Sequence, residues 1–193
     1  MSTSRIRDPR PTESRAPSAI ADGAIGERLL GVPVPALTLA STAGRVDLAE
    51  LASDLLVLFV YPHATGLPRA PVPGWELIPG ARGCTAEACG FRDDHDRLNA
   101  FGATVAGLST QSSEEQRAFA ARMGLRYPLV SDPERGLATA LGLPMFAAGG
   151  MTFYRRLTLV ARAGHIAKVF SPIVEPERQA SEVIAWLEAN DGA

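Results

Sequence analysis

Cys84 and Cys89 are the only thiols in a chain of 193 residues. They stand five positions apart in the run Gly83-Cys84-Thr85-Ala86-Glu87-Ala88-Cys89-Gly90-Phe91-Arg92-Asp93. That spacing fits neither a zinc knuckle nor a C-x-x-C redox motif, and sites built on short cysteine pairs usually need a second pair or histidines at fixed offsets. The three histidines, His63, His95 and His165, are scattered without ligand spacing. No metal and no cofactor is expected, which leaves redox chemistry between two thiols on one structural element. Cys84 follows a glycine and directly precedes a helix-forming stretch, so it is predicted at a helix amino terminus. There, unpaired backbone N–H groups and the positive end of the dipole favour thiolate, and a lowered pKa makes a thiol reactive. Nothing local activates Cys89. Five helical residues advance about 7.5 Å, which puts the two Cα atoms roughly 8–9 Å apart. A disulfide tolerates no more than about 7 Å, so a bond between these two would require the first turns of the helix to unwind. Gly90, beside Cys89, would lower the resistance to that unwinding.

The elements that must position these thiols alternate between strand and helix. Residues 37–46 form a short hairpin turning at Gly44, and Asp47 caps a one- to two-turn helix over 47–52. Leu55-Leu56-Val57-Leu58-Phe59-Val60-Tyr61 shows no polar alternation, so it is a central strand buried on both faces. From Pro62 to Gly83 the density of Pro and Gly forbids any long regular element. A loop that long in a compact domain is usually functional or disordered. A helix then spans 85–99, a second buried strand 103–108, an amphipathic helix 113–123 and a short strand 127–131. After a turn at Asp132-Pro133 come a short helix over 135–141, a hairpin about Ala163-Gly164 and a closing helix over 177–190. This order predicts an α/β fold with a mixed central sheet flanked by helices.

Composition narrows the function. The net charge of −2 and the absence of like-charge blocks argue against a nucleic-acid surface. The longest apolar run, 55–60, is far short of the ~20 residues of a membrane span. Residues 1–26 are rich in Ser, Arg, Pro and Ala without an apolar h-region, so they are expected to be a disordered leader rather than a secretory signal. The folded domain is then expected over 27–193, with an inserted loop at about 63–83. Without export, the thiols belong to a reducing cytoplasm and serve catalysis or sensing.

The cysteine segment closely resembles the active-site segment of the Q-type peroxiredoxins, also called bacterioferritin comigratory proteins. The likeness covers most of the chain from about Leu30. Phe59-Val60-Tyr61-Pro62 looks like that family's strand into the active site. Gly107-Leu108-Ser109-Thr110 and Tyr127-Pro128-Leu129-Val130-Ser131-Asp132 look like its next two strand ends. Arg156-Leu157-Thr158-Leu159-Val160 resembles the strand carrying the family's active-site arginine. The resemblance implies a thioredoxin-like fold and the reduction of hydrogen peroxide or organic hydroperoxides. Cys84 would be the peroxidatic cysteine and Cys89 the resolving one, joined in an intramolecular disulfide that thioredoxin or a similar dithiol reduces. Arg156 would hold the thiolate and the peroxide oxygens. Arg155 is its neighbour, and strand alternation lets only one of the two face the site.

Two departures from the family pattern concern the loop. About fifteen extra residues separate Pro62 from Cys84, and Ala81 stands where the family has a hydroxyl residue three positions before the peroxidatic cysteine. Thr65 is a candidate for the missing hydroxyl if the loop folds back, Thr85 a partial one, and Arg82 a candidate source of added positive charge. Trp75 is expected to anchor the insertion and to report on events near the cysteines. Arg92 and Asp93 are expected to pair on the helix surface, and Tyr61 to pack beneath the loop. Two other readings stay open: a dithiol–disulfide oxidoreductase or sensor with little peroxidase activity, and a thioredoxin-like binding module that does not need Cys84. The cysteine pair permits a monomer, and the apolar Trp75-Glu76-Leu77-Ile78 stretch could support a homodimer.

Overall fold

The computed structural model describes residues 21–64, 72 and 74–190. Helix α1 (Ala21–Leu29) precedes the hairpin of β1 (Thr38–Ser41) and β2 (Gly44–Asp47). Asp47 then caps α2 (Leu48–Leu51), its carboxylate accepting the N–H groups of Ala49 and Glu50. β3 (Leu55–Val60) is buried along its whole length. A single 3-10 turn at Trp75–Leu77 is the regular structure in the described part of the following loop. Next come α3 (Cys84–Asp93), α4 (His95–Ala100), β4 (Ala103–Ser109), α5 (Ser113–Met123), β5 (Leu129–Ser131) and α6 (Gly136–Leu141). The chain continues through a hairpin of β6 (Met145–Ala148) and β7 (Met151–Tyr154), then β8 (Leu157–Arg162) and β9 (His165–Phe170), and closes with α7 (Gln179–Ala189).

Seven strands make one mixed sheet in the order β2-β1-β5-β4-β3-β8-β9. β3, β4 and β5 run parallel, while β8 lies antiparallel to β3 with Leu157 opposite Val60. Alternation along β3 divides the core, because successive side chains point to opposite faces of a strand. Leu56, Leu58 and Val60 pack with Ile25, Leu29, Leu48 and Leu137 on one face. Val57 and Phe59 pack with Phe91, Phe119, Val183 and Leu187 on the other. This is the mixed-sheet α/β architecture expected from the order of elements.

Three details differ from the sequence-based expectation. The helix predicted over 85–99 is two helices, α3 and α4, which meet at Asp94 where the backbone turns (φ −91°, ψ 6°). The β6–β7 hairpin, paired from Met145↔Tyr154 to Ala148↔Met151, has no counterpart in the sequence pattern. β6 is partly exposed and the two buried residues of β7, Phe153 and Tyr154, are adjacent, so neither strand shows the alternation that marks a sheet core. At the amino end, α1 begins inside the segment expected to be a leader, because Ile25 is buried in the core against the sheet. Residues 1–20 lie outside the described residues.

Candidate active site

The parallel strand β3 ends at Val60, and the chain leaves the sheet through Tyr61, Pro62 and His63. Crevices beyond the carboxyl ends of parallel strands are the usual location of sites in such sheets. Gln111, in the loop after β4, fixes this exit by accepting the Ala64 N–H at 2.7 Å and donating to its carbonyl at 3.3 Å. β8 is antiparallel to β3, so Arg156, just before Leu157, comes to the same end of the sheet.

Cys84 is the first residue of α3, as expected from Gly83, which takes the left-handed conformation (φ 96°) at the N-cap. The thiol is buried and donates to the Ala81 carbonyl at 3.6 Å. Arg156, itself 4% exposed, brings Nη2 to 3.1 Å from the Cys84 sulfur and to 2.8 Å from the Arg82 carbonyl. Its Nη1 forms an ion pair with Glu87 Oε2 inside the protein. The His63 backbone adds a hydrogen bond to the sulfur. These groups oppose one another electrostatically. Burial pushes the Cys84 thiol up, the Arg156 cation pulls it down, the Glu87 carboxylate adds to the rise, and the His63 N–H opposes it. The net direction is upward. The lowered pKa expected at a bare helix start is therefore not what this site has, because desolvation and the neighbouring carboxylate outweigh the favourable groups. Glu87 is pushed up to about 7 by burial, against the pull of Arg156.

Of the two neighbouring arginines, Arg156 meets the sulfur, while Arg155 lies over the Phe146 ring at 5.9 Å. Arg82 contributes its carbonyl to Arg156, and its own side chain is exposed. Thr65 lies outside the described residues. Ala81 is fully buried and offers a carbonyl where a hydroxyl was sought. Thr85, the second residue of α3, lines a cavity of about 390 Å³ together with Cys84, His63, Trp75 and Arg82. A larger cavity of about 660 Å³ lies across the Arg82-Gly83 backbone and has neither sulfur in its wall, so the smaller one is the relevant pocket. Trp75 anchors the loop as expected, packing against His63, Phe146 and Phe153 at 5.0 to 5.9 Å.

Cys89 is half-buried in the same helix, and both cysteines are free. An uninterrupted α3 keeps them too far apart for a bond. Arg92 donates to Asp93 at 2.8 Å, as expected, and also to the Met123 carbonyl at 2.7 Å. Sequence reasoning missed the role of Glu87. The available signal was its spacing of three from Cys84, which puts both on one helix face.

A thiol at a helix start, backed by a buried arginine at the end of a thioredoxin-like mixed sheet, defines a thiol-based redox protein. Residues 77–169 match the AhpC/TSA family. The chain is 29% identical over 160 residues to peroxiredoxin Q, chloroplastic, of Sedum lineare, covering 82% of this chain and 77% of that one. It is 33% identical over 115 residues to peroxiredoxin bcp1 of Schizosaccharomyces pombe, covering 58% of this chain and 51% of that one. The crystal structure of peroxidoxin BcpB from Mycobacterium tuberculosis superposes with a TM-score of 0.67 at 29% identity, over 83% of this chain and 96% of that one. A peroxiredoxin Q structure from Xanthomonas campestris shares the fold with a TM-score of 0.65 at 24% identity, over 82% and 97% of the two chains. The AhpC/TSA match thus spans the cysteine helix through β9, and the chain is similar to proteins of the peroxiredoxin Q and bacterioferritin comigratory type.

Proposed function

We propose that this protein is a thiol peroxidase acting on hydrogen peroxide and organic hydroperoxides, with Cys84 as the attacking thiol. The observation that carries this reading is the Arg156 guanidinium 3.1 Å from a sulfur at the start of a helix. The Cys84 thiolate attacks the terminal oxygen of the hydroperoxide. An S–O bond forms, the O–O bond breaks, and the departing alkoxide or hydroxide takes a proton to leave as alcohol or water. Arg156 stabilises the thiolate and the negative charge moving onto the peroxide oxygens, and Glu87 holds Arg156 in place. The product is Cys84 sulfenic acid.

Cys89 then attacks the Cys84 sulfur as its thiolate, forming the S–S bond and expelling hydroxide, which is protonated to water. This step needs α3 to open. A dithiol protein of the thioredoxin type returns both cysteines to thiols by exchange, becoming a disulfide itself. The upward-shifted Cys84 thiol favours a second reading, a dithiol–disulfide oxidoreductase that meets peroxide only slowly.

Stopped-flow tryptophan fluorescence of the reduced protein mixed with hydrogen peroxide separates the two. Fast, concentration-dependent oxidation is expected in wild type, absent in Cys84→Ser. In Cys89→Ser, sulfenic acid is expected without an intramolecular disulfide. Oxidation no faster than that of an ordinary free thiol would overturn the peroxidase reading.

A further inference from the structure

Two glycines of the cysteine segment have no room for a side chain, and both face the same C-terminal stretch. A Cβ on Gly83 would stand 2.7 Å from Pro176 Cγ, so the proline ring lies directly against the backbone that precedes Cys84. A Cβ on Gly90 would stand 3.0 Å from the Glu177 carbonyl oxygen. Pro176 and Glu177 belong to a 3-10 turn that follows β9 and leads into α7. Gly90, expected from sequence to ease unwinding, therefore also serves a close approach between α3 and this turn.

The two halves of α3 are held differently. In the second half, Phe91 is fully buried and stacks on Phe59 at 4.6 Å, and the Ala88 carbonyl accepts the Tyr127 hydroxyl at 2.6 Å. The first turn, with Cys84, is held by the Glu87–Arg156 pair and by Pro176 pressing on Gly83. Cys89 sits in the fixed half, so the movement that joins the cysteines belongs to the first turn.

We infer that Pro176 is a positioning residue: by clamping the start of α3 from outside, it sets how readily Cys84 sulfenic acid leaves its pocket to meet Cys89. This rests on the peroxidase reading above. The clamp has a chemical consequence. Sulfenic acid held in the pocket meets a second hydroperoxide, which transfers its terminal oxygen to sulfur, breaks its O–O bond and leaves sulfinic acid plus alcohol or water. Faster opening diverts the same sulfenic acid into the disulfide.

Rapid-quench mass spectrometry of the reduced full chain with hydrogen peroxide tests this, because it times sulfenic acid, disulfide and sulfinic acid separately. In Pro176→Ala, sulfenic acid should form within about twofold of the wild-type rate, since the closed helix remains the main state. Disulfide formation should be about three- to tenfold faster, the range for losing part of one packed apolar ring. Half-conversion to sulfinic acid should need several-fold more peroxide. Pro176→Val, which restores bulk, should move back toward wild type. Val174→Ser changes an exposed residue of the same segment and should match wild type. Unchanged disulfide formation in Pro176→Ala, or equal acceleration in Val174→Ser, overturns the clamp alone. If wild type forms no Cys84–Cys89 disulfide, the intramolecular-disulfide mechanism falls and the clamp falls with it.

Discussion

Glu87 places a second titrating group beside the reactive sulfur, and its two effects can be pulled apart. Its carboxylate anchors Arg156, which helps the Cys84 thiolate, and its charge directly disfavours that thiolate. Oxidation requires thiolate and the Cys84 thiol is shifted upward, so the wild-type rate should keep rising with pH through the alkaline range. In Glu87→Gln the opposing charge is gone. The pH–rate profile should move to lower pH, while its plateau falls because Arg156 has lost its ionic anchor. Measured oxidation rates from pH 5 to 10 check this, and a profile that stays in place would show that the carboxylate charge does not reach the sulfur. Stability should respond too. The folded protein holds the Glu87 proton up to about 7, above the ordinary 4.5. The contribution is therefore complete below about 4.5 and lost as pH rises through about 7. Melting temperature against pH should be flatter across that window in Glu87→Gln than in wild type.

At the scale of the element, α3 is placed by how closely the sheet beneath it packs. β4 carries Gly107 opposite Phe59 of β3, and a Cβ there would come within 2.6 Å of both Phe59 Cζ and Leu129 Cδ2. The Phe59 ring in turn supports Phe91 of α3. Gly107→Ala should therefore cost about 1–3 kcal/mol through overpacking, read from the urea midpoint. An unchanged midpoint would mean that the two side chains can yield. The other elements around the site are fixed by their own caps. Ser112 and Glu115 form a capping box on α5. Buried Asp132, expected only as part of a turn, accepts the N–H groups of Gly136 and Leu137 at 2.8 and 3.0 Å and the Tyr154 hydroxyl at 2.6 Å.

Across the whole molecule, one end of the sheet gathers the β3 exit, the start of α3, the residue before β8 and the aromatic contacts of the β6–β7 hairpin. Trp75 joins that cluster, while Trp186 lies on α7 with Arg162 over its ring at 5.9 Å. The fluorescence change on oxidation should consequently vanish in Trp75→Phe and persist in Trp186→Phe, with peroxidase activity retained in both. Persistence of the signal in Trp75→Phe would locate the structural change elsewhere. Much of this arrangement was legible from sequence where local physics decides. The unbroken apolar run fixes β3 as central, Asp47 caps α2 through its own side chain, and Gly83 before Cys84 starts α3. Less was legible where elements are short or half-exposed, as in β6 and β7, or where Asp94 breaks a helix-forming run. The sequence by itself determined the central strands with the helices between them, the pair of thiols and their place on one helix, because periodicity, caps and spacing act over a few residues. Only the tertiary structure decided that Arg156 rather than Arg155 meets Cys84 across 72 positions, that Glu87 pairs with it across 69, and that Pro176 presses on Gly83. Those contacts depend on strand pairing and helix packing between distant segments, and desolvation at their meeting point, not the helix start alone, sets the charge of the thiol.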